Sequence, residues 1–210
     1  MRPAEVRELF GIWRGLNPDP RTELVYENPF QLLVAVVLSA QATDKGVNKA
    51  TAPLFAQVKA PAEMVALGEE GLVGFIRSIG LYRTKAKNVL ALSGVLVRGH
   101  GGEVPRTREE LEALPGVGRK TANVVLNTLY DEPVMAVDTH VFRVCNRLQL
   151  APGKTVREVE EGLQKAVPEE FKPRAHHWLI LHGRYTCTAV KPKCPVCPVA
   201  HLCRWPGKTV

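Results

Sequence analysis

Two glycines, a proline and two cations stand together in the stretch LPGVGRKTA, residues 114–122. An α-helix begins with about half a positive charge from its backbone and with unpaired N–H groups, so acidic residues are favoured there and cations are disfavoured. Arg119 and Lys120 nevertheless begin an apolar helical pattern. They predict either a bound anion, such as a phosphate held by backbone amides, or an activated lysine nucleophile. Two ordinary surface cations after a turn are the third interpretation.

A helix–hairpin–helix pattern surrounds these residues. Residues 109–114 complete one helix, PGVG forms the hairpin, and residues 119–130 form the second helix. Gly116 and Gly118 are expected to adopt positive φ, which turns consecutive N–H groups outward and lets a phosphate approach closely. Such contacts recognise the charge of a nucleic-acid backbone and not its bases.

The direction of Lys120 follows from the rotation of about 100° per helical residue. Four apolar residues predict the packed stripe of the second helix: Ala122, Val125, Leu126 and Leu129. Lys120 lies almost opposite that stripe, beside Val124 and Asn127, so we expect it to face a surface or a cleft. The functional interpretation makes Lys120 a reactive amine and Arg119 a supporting charge, and a solvated lysine is the alternative.

A second candidate lies in the stretch VDTHVFRVCNRL. Val141, Cys145 and Leu148 share one face of a helix, and Asp138 stands at its N-cap, where an aspartate is favoured for structural reasons alone. The carboxylate also follows the apolar run PVMAV, and at the edge of a cleft it can accept a proton or stabilise a cationic transition state. His140 is interpreted as a polar helix residue and not as a base.

The strongest local signal is a group of four cysteines with the spacing C-x6-C-x2-C-x5-C. They are Cys187, Cys194, Cys197 and Cys203. Their density predicts a metal site in preference to disulfides. Zinc and iron–sulfur clusters both accept four thiolates, so the spacing alone leaves the metal open. The fifth cysteine, Cys145, lies apart on an apolar helix face.

Cationic residues accompany the cysteines. Lys191 and Lys193 lie between the first two cysteines, in a loop that Pro192 stiffens. Two interpretations are open, because these lysines can offset thiolate charge or can contact phosphate as a rigid basic loop. His201 is a further candidate ligand, for which a surface position is favoured.

The net charge of +7 and the isoelectric point near 9.3 favour a polyanionic partner, with a nucleic acid first and an anionic membrane surface second. The longest apolar stretch, residues 30–40, has about half the length needed to span a bilayer. The N-terminal residues form an amphipathic, charged pattern and not a signal peptide. We therefore expect a soluble cytoplasmic protein without a transmembrane segment.

The elements that must position these candidates are predicted to be helices. Residues 6–16 have helical apolar spacing, and the sequence NPDP ends that helix. Residues 30–40 are apolar on all sides, which indicates a helix buried at the centre of a bundle. Asp44 is expected to cap the helix that follows.

The middle of the chain continues the helical pattern. Pro61 is expected to begin a short helix, and Gly80 marks a turn before a helix over residues 84–98. Thr107 and Thr155 each precede a glutamate by three residues, which is the pattern of a capping box. No stretch alternates as a strand would, so the predicted class is all-α.

The motifs together resemble one known family. They are VLSAQATDKGVNKAT at 37–51, LPGVGRKTANVVLNT at 114–128, AVDTHVFRVCNR at 136–147, HHWLILHGRYTC at 176–187, and the four cysteines. The sequence is similar to the endonuclease III family of bifunctional DNA glycosylases, within the helix–hairpin–helix glycosylase superfamily. The similarity covers essentially the full chain, in order and at consistent spacing.

The resemblance implies two helical lobes that flank a DNA-binding cleft. Residues 22–132 would form a six-helix lobe that contains the helix–hairpin–helix over residues 108–130. Residues 1–21 and 133–210 would form the second lobe, closed by a 4Fe-4S cluster on the four cysteines.

The resemblance also implies roles for single residues. Lys120 would be the amine that attacks C1′ of the sugar, and Asp138 the catalytic carboxylate. Gln41 would fill the gap left by an everted nucleotide, and Leu81 would wedge the opposite strand, although a turn-packing leucine is the simpler account. The phosphate interpretation of the hairpin and of the basic loop adds five residues that would contact the DNA backbone: Gly116, Gly118, Arg119, Lys191 and Lys193.

The implied substrate is double-stranded DNA that contains oxidised pyrimidines or abasic sites, cut by base removal and β-elimination. The protein is expected to be monomeric and associated with the nucleoid. Two other functions are open: a monofunctional glycosylase, such as the adenine-excising and thymine-mismatch relatives that lack the lysine, and a non-catalytic iron–sulfur DNA-binding module.

Overall fold

The computed structural model describes residues 1–209 of the chain. Within these residues every regular element is helical, with ten α-helices, three short 3₁₀ helices and no strand, so the predicted all-α class is confirmed. The α-helices are α1 (Pro3–Leu16), α2 (Pro29–Leu38), α3 (Asp44–Gln57), α4 (Pro61–Ile76), α5 (Tyr82–Gly99), α6 (Arg108–Glu112), α7 (Arg119–Tyr130), α8 (Thr139–Leu148), α9 (Val156–Ala166) and α10 (Lys172–Tyr185). The 3₁₀ helices are Glu169–Phe171, Cys194–Val196 and Ala200–Leu202.

The helices form two compact units. One unit comprises residues 22–130 and contains α2 to α7. The other comprises residues 1–21 and the chain from residue 131 onward, with α1, α8, α9 and α10. No helix in residues 1–209 combines the length and the hydropathy that a bilayer crossing requires.

Helix α2 forms the centre of the first unit. Asn28 caps it by accepting the N–H of Gln31 at 3.0 Å, and Pro29 occupies a first-turn position where a missing N–H costs nothing. All residues from Phe30 to Leu38 are buried, as the all-round apolar pattern predicts. The amide of Gln31 is satisfied there, because its Nε2 donates to the carbonyls of Phe55 and Val58 at 3.1 and 3.2 Å.

Three sequence expectations about this unit need correction. Thr43, and not Asp44, caps α3, because its hydroxyl accepts the N–H of Gly46 at 3.1 Å. Pro61 does begin α4, but the helix is not short: it bends at Gly68, where φ is 70°, and continues to Ile76. Helix α7 has the predicted bounds, yet Val124 and Asn127 are buried and not on an open face.

Aromatic rings form much of the core of the second unit. The ring of Phe10 contacts those of Trp13 and Phe171, with centroids 5.3 and 5.5 Å apart. Trp178 joins this group, and its indole N–H donates to the carbonyl of Asn17 at 2.8 Å, which fixes the chain just after α1. The indole nitrogen of Trp13, in contrast, is buried without a hydrogen-bond partner in residues 1–209.

Helices α8 and α10 pack closely in this unit. A Cβ on Gly183 would lie 2.8 Å from Cβ of His140 and 3.2 Å from its carbonyl oxygen, so a larger residue would separate the helices. At Thr155 the N-cap half of the predicted capping box is present in α9, because the hydroxyl accepts the N–H of Glu158 at 3.2 Å. The Glu158 carboxylate accepts the N–H of Lys154 and not that of Thr155. At Thr107, which caps α6, the hydroxyl accepts the N–H of Glu110 at 3.3 Å and donates to the Glu110 carboxylate.

Candidate functional site

The hairpin before α7 is a tight turn that requires glycine at one position. The N–H of Val117 donates to the carbonyl of Leu114 at 3.1 Å, which closes the turn, and Leu114 is buried. Gly116 has φ of 77°, and a Cβ there would lie 2.8 Å from Cβ of Asn88 on α5. A residue other than glycine at position 116 would therefore be destabilising for two reasons: its backbone would be strained at this φ, and its Cβ would overlap with α5.

Gly118 behaves differently from Gly116. It is absent from the positive-φ residues of the chain, so the expectation that both hairpin glycines adopt positive φ is wrong for Gly118. No atom lies within 4 Å of the position that its Cβ would take. The backbone at Gly118 thus faces open space, where a large anion can approach.

Lys120 lies in the first turn of α7 and is exposed. The helix behind it is anchored by fully buried residues, among them Ala122 and Val125 at 0% exposure. The N–H of Ala122 donates to the carbonyl of Gly118 at 2.9 Å, so the helix is regular from its first turn. Lys120 is therefore an accessible amine on a rigid support, next to the open side of the hairpin.

Two exposed turns of the same unit contain non-glycine residues with left-handed backbone. Gln41 has φ of 55° and Leu81 has φ of 60°, and the Leu81 side chain is 60% exposed. Such conformations cost roughly 1–3 kcal/mol each and are enriched at functional sites. A Cβ on Gly80 would lie 4.0 Å from the carbonyl oxygen of Gln41, so the two turns are neighbours. The structure thus brings together Gln41 and Leu81, the two predicted DNA-inserting residues.

An unusual lysine, which sequence analysis did not single out, lies beside the Leu81 turn. Lys85 is 5% exposed, and within residues 1–209 its Nζ has no hydrogen-bond partner. Burial lowers the pKa of this amine from its ordinary value. The periodicity of α5 offered a signal, because Lys85 starts the buried stripe that continues through Val89 and Leu92.

Asp138 caps α8 in the second unit. Its Oδ1 accepts the N–H groups of His140 and Val141 at 2.9 and 2.8 Å, so the capping interpretation is confirmed. One carboxylate oxygen is thereby used by the helix. The half-buried carboxylate retains Oδ2 for a second partner, and its catalytic role stays a prediction.

Two arginines of α8, Arg143 and Arg147, which sequence analysis did not single out, bind backbone carbonyls next to the first cysteine of the cysteine segment, residues 187–203. Arg143 donates to the carbonyls of Gly183 and Cys187 at 2.8 and 2.9 Å. Burial lowers the pKa of Arg143, while the charges of Cys187 and Asp138 act in the opposite direction. His140, placed 3.2 Å from Arg143 through its Nδ1, belongs to this polar group.

The four cysteines line one hollow. It encloses about 360 Å³ of space, part of it open to solvent. All four thiols are free and half-buried: Cys187, Cys194, Cys197 and Cys203. Burial, together with the neighbouring thiols, raises the pKa of Cys197.

The donor set fits an iron–sulfur cluster. Thiolates are the ligands that iron–sulfur clusters take from proteins, and the four thiols line one hollow. Zinc accepts the same four ligands, so the thiols alone do not distinguish the two metals.

Other candidates around the hollow are now placed. Lys191 and Lys193 are both exposed, but only Lys193 lines the hollow, and Lys191 has φ of 63°. His201 is exposed and its Nε2 lies 2.9 Å from Oε1 of Glu8, which matches the predicted surface position. Cys145 is fully buried away from the hollow, and burial raises its pKa, so this thiol is unreactive.

Family models match two parts of the chain. Residues 34–169 match the HhH-GPD superfamily of base excision DNA repair proteins. Residues 187–203, which span the four cysteines, match the iron–sulfur binding domain of endonuclease III.

Similar proteins cover nearly the whole chain. Endonuclease III of Escherichia coli (strain K12) is 57% identical over 99% of each chain. Endonuclease III of Haemophilus influenzae is 58% identical over 96% of this chain and 95% of its own. A solved non-covalent endonuclease III–DNA complex matches with a TM-score of 0.90 and 49% identity, over 97% of this chain and 96% of the solved one. A trapped endonuclease III–DNA covalent intermediate matches with a TM-score of 0.90 and 48% identity, over the same shares.

Proposed function

Because the chain belongs to the endonuclease III family of the HhH-GPD superfamily of base excision DNA repair proteins, it is a DNA glycosylase with abasic-site lyase activity, and we propose that Lys120 and Asp138 carry out its chemistry. The observation that supports this assignment is the position of Lys120. It is an exposed amine on the first turn of a rigid helix, beside the open side of the Gly118 backbone.

Lys120 acts as the nucleophile. The lone pair of Nζ attacks C1′, and the bond from C1′ to the base breaks, with its electron pair leaving on the base, which takes up a proton. Loss of the Nζ protons and opening of the sugar ring give an imine between Lys120 and C1′. Removal of a C2′ proton then expels the 3′ phosphate, which nicks the strand, and water hydrolyses the imine to free the lysine.

Asp138 assists at two points of this sequence. Its carboxylate takes a proton from the attacking amine, or stabilises the positive charge that develops on the sugar as the base leaves. The helix cap supports this role. Two backbone N–H groups bind Oδ1 and so fix the orientation of the carboxylate, which leaves Oδ2 to take the proton or to face the sugar.

The DNA contacts divide between inserted and backbone-binding residues. Eversion of a nucleotide costs a few kcal/mol, and Gln41 and Leu81 fill the resulting gap from two adjacent, preformed turns. Gly116, Gly118 and Arg119 bind phosphate at the hairpin. Lys191 and Lys193 add basic contacts from the cysteine segment.

The cofactor is a 4Fe-4S cluster, in agreement with the matched iron–sulfur domain. We assign Cys187, Cys194, Cys197 and Cys203 as its ligands. When bound, the cluster supplies a four-point cross-link of residues 187–203 and a redox-active centre. Base excision itself is assigned to the side chains of the protein.

The substrates we propose are oxidised pyrimidines and abasic sites in double-stranded DNA. We further propose a monomeric enzyme associated with the nucleoid. Two other functions are weighed against this one: a monofunctional glycosylase and a non-catalytic iron–sulfur DNA-binding module. An accessible lysine at the hairpin favours the bifunctional enzyme over both.

Borohydride trapping on a duplex with one thymine glycol tests the proposal. The native protein is expected to form a covalent adduct, and Lys120→Gln is expected to form none while still binding DNA. Lys154→Gln, which removes another exposed lysine, is the matched control and should trap normally.

The other outcomes separate the alternatives. An adduct that persists in Lys120→Gln overturns the assignment of the nucleophile. Release of the base by the native protein without any adduct indicates a monofunctional glycosylase. Binding with neither adduct nor base release indicates a DNA-binding module.

A further inference from the structure

The hollow around the four thiols has one wall that comes after the last cysteine. Trp205 and Lys208 line the hollow together with the thiols. We call residues 204–209 the closing segment. It contains no helix, so its position depends on contacts with the rest of the unit.

Arg147 on α8 holds Trp205. The guanidinium carbon lies 4.0 Å from the centroid of the Trp205 ring, which is a close cation–π contact. The same guanidinium donates to the carbonyls of Thr188 and Ala189 at 2.7 and 3.0 Å, and lies 3.5 Å from the sulfur of Cys187. One side chain therefore joins the residues after the first thiol to the closing segment after the fourth.

Two further contacts fold the closing segment back onto the hollow. Nζ of Lys208 donates to the carbonyls of Cys203 and Ala200 at 2.9 and 3.3 Å. A Cβ on Gly207 would lie 2.6 Å from the Trp205 ring, so only glycine allows the chain to turn this closely over the indole. The segment is thus held at Trp205 and again at Lys208.

We propose that the closing segment is a seal for the cluster site, with Trp205 as the sealing side chain and Arg147 as the positioning residue that holds it. Solvent access to an iron–sulfur cluster affects both its reduction potential and its persistence. An indole stacked on a guanidinium covers a large area at little entropic cost, because both groups are planar and rigid. Arg147 and Lys208 also bring positive charge to a group whose thiolates and sulfides are negative.

This proposal is independent of the catalytic assignment, because it concerns retention of the cluster and not base excision. The cluster is followed through its absorbance near ~400 nm, a general iron–sulfur marker, in aerobic buffer with a chelator. Trp205→Ala is expected to lose absorbance about 10-fold faster than the native protein, since an open wall exposes the site. Trp205→Phe, which keeps a ring for Arg147, is expected to stay within about 2-fold of native.

Arg147→Lys keeps the charge but loses the planar stack and the paired donors, so its loss rate is expected to lie between those of the two Trp205 variants. Arg14→Lys is the matched control. The guanidinium carbon of Arg14 lies 4.9 Å from the ring centroid of Phe171 in the same unit. The substitution therefore removes a cation–π contact away from the thiols, and the rate of cluster loss is expected to equal that of the native protein.

The reduction potential separates sealing from general loosening. Water stabilises the more negative reduced cluster, so Trp205→Ala is expected to shift the potential to a more positive value, whereas a merely less stable fold leaves it unchanged. Circular dichroism confirms that each variant retains its helices. Native loss rate and native potential in Trp205→Ala would overturn the proposal. If that variant does not fold, native behaviour of both Arg147→Lys and Lys208→Met would overturn it equally.

Discussion

Helix α2 and the segment over residues 187–209 present two ways to stabilise a functional part of this protein. In α2, every residue from Phe30 to Leu38 is buried, and apolar packing, with two hydrogen bonds from the Gln31 amide, holds it at the centre of its unit. In residues 187–209, only Val199 is buried, and the helices are 3₁₀ turns of three residues. Arg143 and Arg147 bind carbonyls of that segment, and by our proposal its four thiols hold the cluster.

The difference indicates what each unit can present. A core like that around α2 supports short exposed turns with costly backbone conformations, at Gln41 and Leu81, without a cofactor. The cysteine segment instead presents Lys191 and Lys193 on a chain that cannot hold its shape by burial. Apolar packing is therefore sufficient to position single exposed side chains, whereas a loop with few buried residues needs a metal cross-link to keep its shape.

Removal of one thiolate gives the largest expected effect. Cys197→Ser is expected to lose the cluster and to cost the segment on the order of 5 kcal/mol of local stability. Hydrogen exchange measures this directly, as faster exchange in residues 187–209 with α2 still protected. Cys145→Ala, which removes the fifth thiol, should leave this segment protected. Equal loss of protection in α2 would mean that the two regions are not stabilised separately.

A cavity in the core of α2 tests the other half of the comparison. Leu33 is fully buried, so Leu33→Ala is expected to lower the free energy of unfolding by about 4 kcal/mol. Denaturant titration measures this loss. The absorbance near ~400 nm per chain should not change under native conditions. Loss of the cluster in this folded variant would contradict the separation.

Acid is expected to act on one unit only. Burial lowers the pKa of His177 to about 4 from its ordinary value of 6.5. The unfolded chain then binds a proton more readily, so this contribution to stability is complete above about pH 6.5, falls as the pH decreases, and is lost below about pH 4. The loss is about 2 kcal/mol at pH 5 and about 3 kcal/mol in full.

Denaturation at pH 7 and pH 5 measures this effect, with His177→Gln as the variant that lacks this group. His182, whose pKa burial also lowers to about 4, still titrates in that variant, so a reduced and not an abolished pH dependence is expected. The buried histidines of residues 1–209 all lie on α10, at 176, 177 and 182. Residues 22–130 contain His100 alone, and it is only partly buried. An equal pH dependence in His177→Gln would show that the acid sensitivity arises elsewhere.

Substitutions at the two hairpin glycines have the smallest expected effect on stability, and each serves as a matched control for the other. Gly116→Ala meets a positive φ and the side chain of Asn88, so it is expected to cost about 1–2 kcal/mol of stability. Gly118→Ala has neither problem and is expected to change stability by less than about 0.5 kcal/mol. Its methyl group nevertheless faces the open side, so DNA affinity should fall by a few-fold in both variants. Unchanged affinity in Gly118→Ala would exclude a close phosphate approach at that position.

Local rules predicted much of the helical framework. The bounds of α7, the burial around α2 and the caps at Thr107 and Thr155 follow from residue type and spacing. The predictions were wrong where two nearby residues could each fill the same structural role. Thr43 and Asp44 can both cap α3, and the structure uses the threonine; the two hairpin glycines can both adopt positive φ, and only Gly116 does.

The parts that sequence reasoning missed depend on contacts between distant segments. Arg143 and Arg147 look like ordinary polar residues of an amphipathic helix, yet they bind carbonyls about 40 positions away. No local pattern encodes such pairing. The burial of Lys85 was detectable only from its register with Val89 and Leu92, because a lysine there reads as a surface residue.

The cap formed by Asp138 ties repair chemistry to protein survival. A variant without this carboxylate loses the proposed catalytic group and also the acceptor of two N–H groups of α8, which costs about 1 kcal/mol. In a cell, that loss lowers the amount of folded protein available. A variant without the Asp138 carboxylate is therefore expected to be both inactive and less abundant. A cell that carries it contains less inactive protein that can compete with other repair proteins for damaged DNA. Asparagine is the exception, because it caps equally well and would leave an abundant, folded and silent protein.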